Sequence, residues 1–154
     1  MSFGIGLYQY LHPVNAGGLM RSAYCLGASF VFTIGRKYRR EAADTIHCTE
    51  QIPYYHYETL DEFIKNIPVG YQVICVENPE KARNLETFCH PRNAIYLLGS
   101  EGNGLPEKVL NKNWPVVKID SKMCLNVAST GSIIMYDRQA KIAQQKLSGL
   151  KNVY

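Results

Sequence analysis

The sequence predicts a single α/β domain organised around a parallel sheet. Short apolar runs alternate with amphipathic stretches along the chain, the pattern of strands interleaved with helices. The runs 71–76 and 94–98 are almost continuously apolar, as strands buried on both faces are. No internal repeat, low-complexity segment or linker divides residues 1–154.

A first strand is expected over residues 3–8, then a turn at Pro13 and Asn15 into a helix that ends near Gly27, with Asn15 as its N-cap. Residues 29–34 are β-branched and aromatic and read as a second strand. Residues 36–51 are polar and read as a loop with some helix. Thr59, with Glu62 three residues on, has capping-box spacing, and Leu60, Phe63, Ile64 and Ile67 share one helical face that Pro68 and Gly70 terminate. After the two apolar strands come a short helix over 105–110, with Pro106 in its first turn, and a strand over 116–119. A helix over about 127–146 closes the domain, with a frayed tail expected from Ser148.

With 46% hydrophobic and 19% charged residues, the composition is that of a folded chain long enough to bury a core. A net charge of +4 permits a nucleic-acid partner without demanding one. No apolar run is long enough to cross a bilayer, and residues 1–6 lack the basic-then-apolar pattern of a secretory signal. Five cysteines, at 25, 48, 75, 89 and 124, form no CxxC pair and no zinc spacing. Scattered reduced thiols in a cytoplasmic protein, with no metal site, are therefore expected.

Three segments stand where ligands sit in such folds. Residues 13–27 lie between a strand end and a helix, where open α/β sheets place ligands. Asn15 and Arg21 could point into one crevice there, and Gly17 with Gly18 permits close approach. Alone, the segment fits a capped helix with a solvent-exposed arginine equally well. Residues 98–106 follow a buried strand with Gly99, Gly102 and Gly104 in six residues, but lack the ending of a phosphate-binding P-loop. Their carboxylate, Glu101, suits a neutral or cationic ligand, although an ordinary tight loop fits as well. Residues 119–132 open the last helix with small side chains at 128, 129, 131 and 132, a surface for close packing of another backbone, and Asn126 offers a donor and an acceptor. Alone, this segment reads as a capped helix with a packing face.

Together, in this order and at these separations, the three resemble the motifs of the SpoU/TrmH branch of the SPOUT methyltransferases, over about residues 3–145. Asn15, Gly17, Arg21, Ala23 and Gly27 match the family's first motif; Gly99, Glu101, Gly102, Gly104 and Leu105 match the second. In the third, Ile119, Leu125, Asn126 and Val127 match, while Asp120 replaces a proline and Cys124 and Ala128 replace serines. The thiol of Cys124 is a weaker donor than the hydroxyl it replaces.

The resemblance implies a parallel sheet flanked by helices with a C-terminal deep trefoil knot, tied here by the 99–105 loop and the 119–145 region; such knots are rare. It implies S-adenosylmethionine held in the knot crevice by Val76, Glu77, Leu98, Gly99, Ile119, Cys124, Leu125 and Asn126. It implies 2′-O-methylation of an RNA ribose at a catalytic centre of Arg21, Asn15 and Glu101, with Glu101 reaching Arg21. A guanidinium resists deprotonation, so Arg21 would orient the hydroxyl and stabilise developing negative charge. The chain is similar to minimal, knot-only members that modify tRNA wobble-position riboses, which makes tRNA the expected substrate and a homodimer the expected state. Arg36, Lys37, Arg39 and Arg40, with Tyr38, form a basic patch that could contact RNA phosphates or be a solvated loop. Tyr54, Tyr55, His56 and Tyr57 could stack on bases or pack into the core as a strand. A non-catalytic RNA- or cofactor-binding member, an enzyme acting on rRNA or on a base nitrogen, and an unrelated α/β nucleotide hydrolase are the competing readings.

Overall fold

The computed structural model describes residues 1–40, 42, 44, 45 and 47–151. Its elements are β1 (Ser2–Tyr8), α1 (Pro13–Cys25), β2 (Phe30–Ile34), α2 (Cys48–Gln51), β3 (Tyr54–Tyr57), α3 (Leu60–Lys65), β4 (Gln72–Val76), β5 (Arg83–Asn84), β6 (Asn93–Leu98), α4 (Glu107–Leu110), β7 (Val116–Lys118) and α5 (Val127–Lys151), with a 3₁₀ turn at Leu85–Thr87. The strands form one sheet in the order β3-β2-β1-β6-β4-β7-β5, and every neighbouring pair is parallel. The expected α/β architecture with a parallel sheet is therefore present.

Side-chain alternation sends the residues of the central strands to two buried faces. Phe3, Ile5 and Leu7 of β1, with Ile74, Val76, Tyr96 and Leu98, meet Leu19 and Met20 of α1 and Ile134 and Met135 of α5. Phe32, Val73, Cys75, Ile95 and Leu97 meet Leu60 and Phe63 of α3 and Val109 of α4. The small residues at the start of α5 meet α1 closely, as their size predicts. A Cβ at Gly18 would lie 3.2 Å from the Ala128 Cβ, and one at Gly131 only 2.2 Å from Leu19 Cδ1.

Local chemistry departs from expectation in four places. Asn15 does not cap α1: His12 holds that position without a side-chain bond, Pro13 starts the helix, and Asn15 is spent elsewhere. The Thr59 side chain does cap α3, accepting from Glu62 N–H at 3.2 Å, but Glu62 accepts from Glu58 N–H at 2.8 Å rather than from Thr59. The tail expected to fray at Ser148 continues as helix to Lys151, with the Ser148 hydroxyl bonded to Gln144 O at 2.8 Å, while 152–154 lie outside the described residues. The two-residue β5 was illegible because so short a strand shows no alternation.

A polar cluster fastens α5 to the N-terminal end of the sheet. The buried Arg138 guanidinium donates to Pro91 O at 2.6 Å, Arg92 O at 2.7 Å and Ser2 O at 3.5 Å. Its remaining contacts are Tyr96 OH at 3.3 Å and the Phe3 ring at 5.3 Å. Beside it His90 bridges Tyr96 OH at 2.5 Å and Asp137 Oδ2 at 2.8 Å, and Lys141 pairs with the same Asp137 oxygen at 2.8 Å. Burial lowers the His90 pKa from its ordinary 6.5, against the opposing pull of Asp137 and with the help of Lys141 and Arg138. The unfolded chain then takes up this proton before the folded one, so His90 favours folding above about pH 6.5 and that contribution is lost as pH falls towards the folded value. Urea unfolding at stepped pH should show stability declining below this point, and His90→Gln should flatten the decline; an unchanged slope in the variant would exclude His90 as the source.

Candidate active site

The strands β1, β6, β4 and β7 end level with one another: Leu7 pairs with Leu98, Leu98 with Val76 and Val76 with Val117. Above them the chain order reverses across the sheet, the place where parallel sheets leave a crevice. The loops after β4, β6 and β7 enclose a cavity of about 310 Å³. Seven of the residues expected at a cofactor line it: Val76, Glu77, Leu98, Gly99, Ile119, Cys124 and Leu125. Asn126 stands beside the lining. Asn78, Lys118, Ser121, Val127 and Thr130 also line it without having been assigned to the cofactor, although Ser121, Val127 and Thr130 lie inside the 119–132 segment and Asn78 and Lys118 adjoin Glu77 and Ile119.

The wall after β6 is a loop folded back on itself, with Gly104 N–H donating to Ser100 O at 2.9 Å. A Cβ at Gly99 would lie 2.2 Å from the Gly104 carbonyl carbon, so only glycine permits this closure. Gly104 has φ +61°, and a Cβ there would lie 2.3 Å from Glu77 Oε2. Glu77 uses the space to accept from Leu105 N–H at 2.7 Å and from Asn78 N–H at 3.0 Å. Its carboxylate thereby clamps the loop to the end of β4.

At the rim one hydrogen-bond chain joins all three segments. Glu101 Oε1 accepts from Asn15 Nδ2 at 2.8 Å, and Glu101 Oε2 from Leu11 N–H at 3.0 Å. Asn15 Oδ1 in turn accepts from Asn126 Nδ2 at 2.8 Å. The Asn126 side-chain oxygen Oδ1 caps α5 by accepting from Ala128 N–H at 2.9 Å and Ser129 N–H at 3.3 Å. Burial works to raise the Glu101 pKa, but the bonds from Asn15 and Leu11 and the nearby His12 outweigh it and hold the carboxyl below its ordinary range.

Arg21 does not join this chain, and within one copy of the protein the expected Glu101–Arg21 contact is not made. It is exposed and makes no hydrogen bond or ion pair with a described residue. Six residues separate it from Asn15, and at about 100° per residue this places the two on different sides of α1. Glu101 reaches the start of the helix and Arg21 is out of its range.

The basic segment divides as well. Arg36, Lys37, Arg39 and Arg40 are all exposed, but Arg36 also donates to Leu11 O and, at 3.4 Å, to Tyr10 O, with its guanidinium 4.9 Å from the Tyr10 ring centre. Tyr38 is buried, its hydroxyl on Asp44 at 3.1 Å, so it is not available for stacking. In the tyrosine run the strand reading prevails. Tyr54 OH meets Thr33 Oγ1 at 2.7 Å, Tyr57 packs on Phe32 and Phe63, and His56 Nδ1 bonds Thr33 Oγ1 at 3.0 Å. Tyr55 alone of the four is exposed.

All five cysteines are free, and burial pushes the thiols of Cys48 and Cys75 up to about 12, which leaves them unreactive. Among the described residues no cluster of His, Cys, Asp or Glu is placed to hold a metal ion, and no helix is long and apolar enough to cross a membrane.

Residues 2–136 match the model of the SpoU rRNA Methylase family, and the chain belongs to that family. Its fold is shared with a solved structure concerned with the 2-OH methylation of C/U34 on tRNA, at 22% identity and a TM-score of 0.79, covering 93% of this chain and 97% of the other. It is shared too with the TrmH/SpoU tRNA modifying enzyme of A. aeolicus, at 13% identity and a TM-score of 0.82, covering 94% and 77%. A third likeness is to the AdoMet-bound rRNA methyltransferase of Sinorhizobium meliloti, at 20% identity and a TM-score of 0.79, covering 91% of this chain but 56% of that longer one. Comparison with curated proteins gives no match.

Proposed function

We propose that the protein transfers a methyl group from S-adenosylmethionine to a ribose 2′-hydroxyl of RNA, with tRNA as the substrate. The observation that carries this reading is the single hydrogen-bond chain from Asn126 through Asn15 to Glu101 at the mouth of the strand-end cavity. The cavity's residues fit the cofactor. Val76, Leu98, Ile119, Leu125 and Val127 offer apolar surface for a purine, and the loop at Gly99 and Gly102 brings backbone polar groups to the lining. The nearby carboxylates of Glu77 and Glu101 suit a cationic centre. Bound there, S-adenosylmethionine supplies an activated methyl group on a sulfonium. Close passage of the 99–105 loop by Glu77 and by the 119–127 segment supports the trefoil knot that the family resemblance implies.

The chain's own work is alignment and charge stabilisation. Glu101 and Asn15 fix the rim, Arg21 orients the hydroxyl and stabilises its developing charge, and Lys37, Arg39 and Arg40 contact RNA phosphates. A cytoplasmic setting accords with free thiols and with an RNA substrate. Titration calorimetry with S-adenosylmethionine under chelator, followed by methylation of a bulk tRNA pool and mapping of 2′-O-methyl sites, tests the reading. Binding without transfer to any RNA would favour a non-catalytic member; methylation of rRNA or of a base nitrogen would correct the substrate.

The active form proposed is a homodimer. Ile134 and Met135 of α5 are consumed by the chain's own core, but Ile133, Tyr136 and Leu147 remain exposed. On α1, Val14 and Tyr24 are exposed on the same side as Arg21, so a dimer through this apolar surface would carry Arg21 to a shared site. Sedimentation equilibrium at micromolar concentration should give twice 17.4 kDa, and a species of 17.4 kDa alone would overturn the proposal.

A further inference from the structure

We infer that Arg36 is a positioning residue for the active-site rim, not one more phosphate contact of the basic segment; the inference rests on the methyltransferase reading above. Arg36 follows β2 and reaches across to the turn between β1 and α1. One guanidinium nitrogen donates to the carbonyls of Leu11 and Tyr10, and the planar group lies against the Tyr10 ring, 4.9 Å from its centre. The ring is itself fixed: Tyr10 is 2% exposed and its hydroxyl donates to Lys37 O at 3.0 Å. Turn and basic segment are therefore tied to each other at three points.

The consequence lies on the opposite side of the Leu11 residue. Its N–H donates to Glu101 Oε2 at 3.0 Å, while Asn15, four residues on, donates to Glu101 Oε1. A bidentate hold on Glu101 needs Leu11 N–H and Asn15 Nδ2 presented together, and Leu11 sits in a turn, not in α1 itself. Leu11 is 43% exposed, so its side chain does little to fix the turn. Arg36 supplies that restraint by a charge-assisted bond to the Leu11 carbonyl. Lys37, Arg39 and Arg40 make no such bond among the described residues and stay available to RNA.

Arg36→Ala and Arg36→Lys separate the two roles. Arg36→Ala should lower the single-turnover methylation rate about tenfold or more, with RNA affinity changed by less than about threefold, and should speed hydrogen exchange at the Leu11 amide about tenfold. Arg36→Lys keeps the charge but not the planar group that lies on Tyr10, so its rate should fall towards that of Arg36→Ala. Adding Arg36→Ala to Glu101→Gln should cost little further rate, since both act through one contact. A loss of RNA affinity equal to the loss of rate, with the salt slope of binding reduced by about one and Lys restoring both, would return Arg36 to the phosphate contacts. Unchanged Leu11 exchange in Arg36→Ala would also overturn the inference. Because the exchange measurement needs neither RNA nor cofactor, it stands even if the wild-type chain methylates nothing, an outcome that would count against the proposed function alone.

Discussion

Arg21→Ala should lower turnover on tRNA by about a hundredfold or more, the loss expected when a donor aimed at developing charge is removed. The structure sharpens the reason. Arg21 is exposed, is bonded to no described residue and stands apart from the cavity lining. Its removal should therefore cost the fold almost nothing and leave cofactor affinity nearly unchanged, so under the proposed function the loss should appear in turnover. Arg21→Lys should not restore the rate, because an ammonium lacks the fork that holds two partners. Single-turnover methylation beside a cofactor titration for each variant is the measurement. Near-normal turnover in Arg21→Ala would remove Arg21 from the mechanism, and equal losses of rate and cofactor affinity would place it in the cofactor site.

The largest stability loss is expected from Arg138→Ala, at about 3–5 kcal/mol in urea unfolding. Arg138 is 2% exposed, and its hydrogen bonds end on Pro91 O, Arg92 O, Ser2 O and Tyr96 OH. Truncation leaves carbonyls short of a donor and opens a void under the Phe3 ring. Arg138→Met, which fills the void without restoring the donors, should recover part of the loss. A change under about 1 kcal/mol in Arg138→Ala would mean that water replaces the guanidinium at small cost.

The sheet was readable from the sequence because burial on both faces writes itself into residues 71–76 and 94–98 as continuous apolarity. Most of the cavity lining was readable as well, since Gly99, Gly104 and Leu125 lie inside segments whose spacing is distinctive. What escaped depends on which residues the fold brings together. Asn15 has the side chain of an N-cap, yet it is spent on Glu101 and Asn126, 86 and 111 residues away. Arg138 looks like one more polar residue of a long helix, and Arg36 like one of four equivalent cations. Only tertiary placement separates these from their neighbours. Ala128, a departure from the family motif, acquires a reason in the same way: it lies against Gly18 of α1, where a Cβ added to the glycine would stand 3.2 Å from its own.

That approach of Gly18 to Ala128 also governs when the domain can form during synthesis. The two positions are 110 residues apart (128 less 18), and β1 likewise waits for β6 to emerge before it gains its central neighbour. At 5–20 residues per second a ribosome takes roughly 5–20 s to cover that distance. Throughout it, the apolar side of α1, with Leu19 and Met20, has no α5 to cover it. The nascent chain thus carries an uncovered helix while those residues are made and closes this part of its core only once α5 emerges. Destabilising substitutions in α5 should therefore reduce the yield of folded protein in cells more than equal losses placed in α3, whose ring contacts to Phe32 of β2 and Tyr57 of β3 involve chain already made.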